Sequence, residues 1–385
     1  MSVTNCKAAF NDIYVDKNGD VLPCCYIQRN NQSKIGDIDD LNDWFFNDKG
    51  IQSLRNNLST GIKDKRCEHC WKTEEKGQWT LRSATPFNSN TPEAKLLHIT
   101  GGKLCNMACR MCSPDLSSMI HAENRPWQRE DSNDPYNWID DPEKAKKLIN
   151  MINLQDLNGI QIQGGEPQLM KGYVDILEQI TDDKKRKIDI QVTTNASVFN
   201  ERFWKQIVKF NAVTAGISID APGKRFGVIR YNGVWDTVER NCNTILNYLW
   251  QNHKSVPPSI NLNIVLQLSN IDQCNEMVAF YDDIKHRLPG LLGGHTLIPV
   301  TDTNGGPWDI ANVPLDILKS LPEIESNGEL ALEWKQYIKN AIKHNQYNSS
   351  HREMVLSREK YFKSLYGKCL WDLKPEWHSI YEKEI

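Results

Sequence analysis

Lys95-Leu-Leu-His-Ile-Thr100 reads as a strand, and four residues beyond it comes Cys105-Asn-Met-Ala-Cys109-Arg-Met-Cys112. The spacing is C-x3-C-x2-C, on a loop that leaves a strand end. A loop of that length can wrap three thiolates around one face of a metal cluster. Three ligands on a cubane of four irons leave one iron open. An open position is what a catalytic centre requires and a structural one closes. The alternatives are a zinc site or a group of buried thiols. Structural zinc sites usually pair two C-x2-C knuckles, and this loop lacks a fourth ligand.

Outward from the loop, short apolar runs alternate with amphipathic patterns, the signature of β/α units on a parallel sheet. After 95–100, the strand candidates are 159–163, 187–194, 213–219, 260–266 and 295–300. Asp141 and Pro142 give a strong start to a helix over 141–152. Further helices are expected near 169–180 and 200–209. From Val234 to Trp250, the residues Val234, Val238, Cys242, Ile245 and Leu249 share a face. Ile271, Cys274, Val278 and Tyr281 do the same up to Ile284. The last ~70 residues are charged and helical in texture, with anchors such as Tyr361, Phe362, Leu365 and Trp371. Six parallel strands fit an open doubly wound sheet or a partial barrel. In both, the chemistry sits at the C-terminal strand ends.

Polar groups gather at those ends. Gly164-Gly165-Glu166-Pro167 follows the second strand. Two glycines allow close backbone approach to a ligand, proline fixes the turn, and a carboxylate suits an ammonium group. The third strand ends in Thr193-Thr194-Asn195. The fourth ends in Ser218-Ile219-Asp220, where Ser218 and Asp220 face one side. Each piece alone has an ordinary reading as a turn, a cap or a solvated side chain.

In this order, the cysteine loop and the GGEP segment resemble the radical S-adenosylmethionine (SAM) superfamily, over roughly residues 95–300. The resemblance implies a partial (β/α)6 TIM-like barrel. It implies a 4Fe–4S cluster on Cys105, Cys109 and Cys112, with SAM chelating the open iron. One-electron cleavage of SAM then yields a 5′-deoxyadenosyl radical that abstracts a substrate hydrogen. It further implies that Gly164, Gly165, Glu166 and Pro167 bind the SAM amino group. Thr194, Asn195, Ser218 and Asp220 become ribose and methionine contacts, and Arg230 lies near the SAM carboxylate. Met111 stands where the family usually has an aromatic residue, and a thioether can pack against an adenine edge.

The N-terminal cysteines form a second set. Ile13-Tyr-Val-Asp-Lys-Asn-Gly-Asp-Val-Leu-Pro-Cys-Cys25 reads as a hairpin turning at Asn18-Gly19. Cys6 and Cys24 with the knuckle Cys67-Glu-His-Cys70 make four ligands. Zinc and a 4Fe–4S cluster both accept four cysteines. The spacing resembles the SPASM/twitch auxiliary-cluster domain, here N-terminal to the barrel rather than after it, and with ligands for one cluster. Cys25 in place of Cys24, or Cys369 through the fold, are alternative ligands. Cys242 and Cys274 sit on apolar stripes and read as core. The expected division is 1–88 auxiliary module and linker, 89–310 barrel, and 311–385 C-terminal helical region.

The bulk numbers agree with this reading. Eight of eleven cysteines fall in the first 112 of 385 residues. That is a poor disulfide framework and points to ligation in a reducing compartment. Apolar residues are 39%, no run approaches the roughly 18 residues of a spanning helix, and no signal peptide is read. The expectation is a cytoplasmic protein with no membrane association. A net charge of −3 gives no broad nucleic-acid surface. The substrate is less legible. Trp127, Tyr136 and Trp138 in a polar loop could cover it, and His295 and Asp302 flank the last strand. The family's relatives suggest oxidative modification of a peptide or protein, with a nucleotide- or sugar-like small molecule as the alternative. An electron donor such as flavodoxin or ferredoxin is expected. The reading from another class is a non-catalytic zinc- or cluster-binding protein.

Overall fold

A β-branched run flanked by turn residues makes a short strand, and each of the six expected runs does so in the computed structural model. It describes residues 4–27, 36–37, 41–75, 80–83, 91–128, 137–288, 292–300 and 306–383. Among these, eleven strands are numbered in chain order. They are β1 Asp12–Val15, β2 Asp20–Leu22, β3 Gly36–Asp37, β4 Leu96–Thr100, β5 Ala108–Cys109, β6 Gly159–Gln163, β7 Asp189–Thr194, β8 Val213–Ser218, β9 Arg230–Tyr231, β10 Ser259–Leu266 and β11 Leu292–Pro299.

The main sheet runs β11-β10-β8-β7-β6-β4-β1-β2-β3. Its six barrel strands, β4, β6, β7, β8, β10 and β11, are all parallel and stand in chain order. A doubly wound sheet would reverse its order at a switch point. An order without reversal keeps right-handed crossovers on one face, so the sheet is the partial-barrel alternative. Along β6 and β10 burial alternates strictly. Ile160, Ile162, Ile260, Leu262, Ile264 and Leu266 pack under helices. Gln161, Gln163, Asn261 and Asn263 are half-buried on the other face.

The helices start where capping chemistry places them. Asp141 accepts from the amides of Glu143 and Lys144 and opens Pro142–Leu154. Val234 is a correction: it precedes the helix Trp235–Asn252 and is 62% exposed, while Val238, Cys242, Ile245 and Leu249 form the buried face. Ile271 is buried but lies ahead of the helix Cys274–Arg287. The C-terminal region is helical, over Glu329–Lys343, Ser349–Tyr366 and Pro375–Glu382. Phe362 is fully buried there, whereas Leu365, expected as an anchor, is half exposed.

The N-terminal hairpin is part of the barrel sheet. β1 runs parallel to β4, with Asp12 opposite Leu96 and Val15 opposite Ile99. Its turn is longer than an Asn-Gly pair. It spans Asp16 to Gly19, with Gly19 at φ 85° and the Asp16 carboxylate accepting from the amides of Asn18 and Asp20. Trp138 is buried and its indole N–H is shared between the carbonyls of Asp16 (2.7 Å) and Thr100 (2.8 Å). It ties the hairpin to β4 and so is no substrate lid. Trp127 packs edge-on to Tyr361 at 4.9 Å, beneath the C-terminal region. Tyr136 and Asp302 lie outside the described residues.

Candidate active site and cluster-binding residues

The cysteine loop is held from several sides. β5 pairs antiparallel with β9, setting Cys109 opposite Arg230. Ser118 Oγ donates to the Cys105 carbonyl and accepts from its amide, both at 3.1 Å. Ser117 Oγ donates to the Met107 carbonyl. The guanidinium of Arg125 spans the carbonyls of Ala108 and Cys109, each at 3.0 Å. Arg110, inside the motif, is fully buried. It donates to the Val228 carbonyl and the Tyr231 hydroxyl and forms an ion pair with Glu359. Cys112 is pushed up to about 12 by burial, ahead of repulsion from Cys109. Burial likewise raises Cys105 and Cys109. Such thiols become thiolates when a metal supplies positive charge.

The GGEP segment docks on the chain that leads into this loop. The Gly165 amide donates to the Gly102 carbonyl (3.1 Å) and the Glu166 amide to the Leu104 carbonyl (2.7 Å). Gly164 has φ 113°, and a Cβ on Gly165 would be driven into the Leu104 carbonyl. The glycines therefore admit a neighbouring backbone, where the sequence suggested a ligand. Glu166 is wholly buried. Its carboxylate accepts from the Thr194 hydroxyl (2.7 Å), the Asn195 amide (2.7 Å) and the Gln168 amide (3.2 Å). Burial pushes this carboxyl up while those hydrogen bonds pull it down. The Thr194 hydroxyl is also buried, and accepts from Gln168 Nε2 and the Ala196 amide. Glu166 and Thr194 thus fix the end of β7.

Asn195, next in line, reaches the loop itself. Its Nδ2 lies 3.8 Å from Cys105 Sγ and 3.3 Å from Asn106 Oδ1. Ser218 is half-buried opposite Asn263. Asp220 is buried and accepts from the Val265 amide and Arg230 Nε, both at 2.8 Å. Arg230 Nη1 stands 3.7 Å from Cys109 Sγ.

The second thiol set also assembles. Cys6, Cys24, Cys67 and Cys70 line one small cavity with Ala8, Tyr26, Ile27, Leu81 and Arg82. Burial raises all four, Cys67 to about 12 and Cys70 to about 11. Among the described residues no three ligating side chains are placed to hold a single metal ion; the thiols border a cavity instead. Asp64 organises the knuckle. It caps the turn Lys65–Cys67 and takes hydrogen bonds from Arg66 and Asn57. Burial works against its charge, but those bonds hold its carboxyl down at about 2. Cys25 is exposed. Cys369 is buried beside Glu359 and Asp372, away from this cavity.

A sequence model of the Radical SAM superfamily matches residues 99–266. One of an iron–sulfur cluster-binding domain, SPASM, matches residues 6–71. The chain carries a radical SAM domain. Its SPASM domain precedes the radical SAM domain. No curated protein matches the sequence. Similar solved structures include anSMEcpe with bound AdoMet, at 16% identity and TM-score 0.41 over 72% of this chain and 65% of that one. SuiB of Streptococcus suis bound to precursor peptide SuiA is 15% identical, with TM-score 0.40, over 79% and 53%. The chain spans less than two thirds of either. Likeness this distant carries no argument about substrate.

The radical SAM domain implies a 4Fe–4S cluster and SAM, and the SPASM domain implies auxiliary iron–sulfur ligation. Both donor sets fit such groups: three thiols share the loop after β4, and four line one small cavity. The sequence did not single out Asn106, Arg110, Arg125 or Glu359. Asn106 lies within the motif itself, so its position was the available signal. Glu359 acts on the loop from the far end of the chain and leaves no local trace. His295 is in the first half of β11 and faces Glu333 at 3.0 Å. No helix of the described residues is long and apolar enough to cross a membrane.

Proposed function

We propose that this protein cleaves SAM reductively and uses the resulting radical to oxidise a peptide or protein. The observation that carries this reading is the docking of Gly165 and Glu166 onto the backbone that enters Cys105. It joins the two expected halves of a SAM site into one body. When bound, a 4Fe–4S cluster with SAM supplies the 5′-deoxyadenosyl radical. Cys105, Cys109 and Cys112 would hold the cluster and leave one corner to SAM. The backbone at Gly164–Pro167 would take the amino group. Asn195, whose amide reaches Cys105 Sγ, and the half-buried Ser218 would take ribose or methionine oxygens. Glu166 and Thr194 would position them from beneath. Cys6, Cys24, Cys67 and Cys70 would hold the auxiliary cluster, which binds substrate or accepts the electron left by hydrogen abstraction.

Peptide is preferred to a nucleotide for a physical reason. The half-buried face of β6, β7 and β10 carries Gln161, Gln163, Gln191, Asn261 and Asn263. Amides donate and accept, as a peptide main chain does, and they offer no cation to a phosphate. We further place the protein in the cytoplasm, fed by flavodoxin or ferredoxin.

The test is anaerobic reconstitution, with iron counted in wild type and in the Cys105/Cys109/Cys112→Ala variant. About eight irons should fall to about four, and reduced wild type should release 5′-deoxyadenosine from SAM. No release would leave only a binding protein. About four irons falling to none would withdraw the auxiliary cluster.

A further inference from the structure

Family resemblance places Arg230 against the SAM carboxylate, but two of its guanidinium nitrogens already face other partners. Nε donates to Asp220 at 2.8 Å and Nη1 reaches Cys109 Sγ at 3.7 Å. The β5–β9 pairing fixes this, since Arg230 and Cys109 are register partners. Arg125 adds a second guanidinium to the same side of the loop through the Ala108 and Cys109 carbonyls. Across the loop, the Cys105 sulfur is met by a neutral amide, Asn195 Nδ2.

We propose that Arg230 is a positioning residue that sets the reduction potential of the cluster on Cys105, Cys109 and Cys112, with Asp220 moderating its charge. The inference rests on a cluster at these thiols. One-electron reduction adds one negative charge to the cluster and makes or breaks no bond. A buried cation at a ligating sulfur favours the state with more negative charge, and burial leaves that interaction little screened by salt. Hydrogen bonds to cluster sulfurs and local net charge are established levers on such potentials. Asp220 opposes the lever by sharing the same guanidinium. The ion pair thus acts as a fixed partial charge on the Cys109 side.

The experiment is a potentiometric titration of the reconstituted full-length protein. Dithionite supplies the electrons through soluble mediators, and the reduced cluster is followed by its EPR signal. The cluster that matters is the one whose signal changes when SAM is added. Absence of such a signal in wild type would sink the proposed function rather than this inference. With the signal present, Arg230→Gln should shift the midpoint to lower potential. Arg230→Lys keeps the charge and should fall between Gln and wild type. Asp220→Asn frees the guanidinium and should move the midpoint upward. SAM affinity should stay within about threefold in all three. An unchanged midpoint in Arg230→Gln, with SAM binding weakened tenfold or more, would return Arg230 to the SAM carboxylate and overturn the inference. If Arg230→Gln fails to load iron, Asp220→Asn decides alone: a raised midpoint supports the inference and an unchanged one overturns it.

Discussion

Gly165 has no room for a side chain, because the Leu104 carbonyl occupies the place a Cβ would take. That carbonyl also accepts the Glu166 amide and lies one residue before Cys105. In Gly165→Ala the loop must move away, and both backbone hydrogen bonds stretch with it. Overpacking of this kind costs about 1–3 kcal/mol. The expected outcome is a lower urea midpoint, with iron lost from the Cys105 site and retained at the N-terminal one. Wild-type iron and stability in this variant would show that the loop yields freely. The motif was readable in sequence, but its physical reason was not. Glycines announce that something approaches closely; they do not say whether it is a ligand or another strand's backbone. Glu166 and Thr194 teach the same point. Their residue types suit a ligand, and their hydrogen bonds turn inward.

At the scale of elements, each cysteine set depends on a group that ligates nothing. Asp64 gathers the knuckle that carries Cys67 and Cys70, and Asp64→Asn offers an amide nitrogen to Arg66, itself a donor. Leaving such buried donors unpaired costs about 1–3 kcal/mol. The auxiliary iron should fall by half or more, while the SAM-dependent EPR signal persists. The helix Ser349–Tyr366 plays the equivalent part for the first loop. Glu359 is wholly buried and faces Arg110, which also lies 4.6 Å from the Phe362 ring centroid. Removing one charge of a buried pair costs about 3–5 kcal/mol. Glu359→Gln should therefore lower stability and loosen the Cys105 site, read together by thermal melting and iron content. Unchanged melting would mean that Arg110 is held by Val228 and Tyr231 alone. The helical texture of this region was plain in the sequence. Its grip on the cysteine loop was not, since no periodicity links residues so far apart along the chain.

At the scale of the whole molecule, the six barrel strands were legible because each is a short apolar run after a turn. Their order settles what the runs could not, a barrel rather than a doubly wound sheet. What the sequence hid is that the N-terminal hairpin continues the same sheet. A thiol-rich segment and a barrel look separate on paper, because pairing between β1 and β4 leaves no local pattern. This pairing has a consequence. Ile13 and Val15 are buried, β1 covers the edge of β4, and Trp138 needs the Asp16 carbonyl. A chain beginning at residue 89 would expose a strand edge with unpaired N–H and C=O groups, and bare the apolar face beneath the hairpin. Such edges recruit other chains. The shortened protein should therefore associate or precipitate rather than stand as a free barrel. Size-exclusion chromatography of the purified fragment checks this directly: a monomeric fragment that melts cooperatively would mean that β4 tolerates an open edge. Co-expression with residues 1–88 as a separate chain should restore the monomer-sized species, since the missing strand would then be supplied in trans.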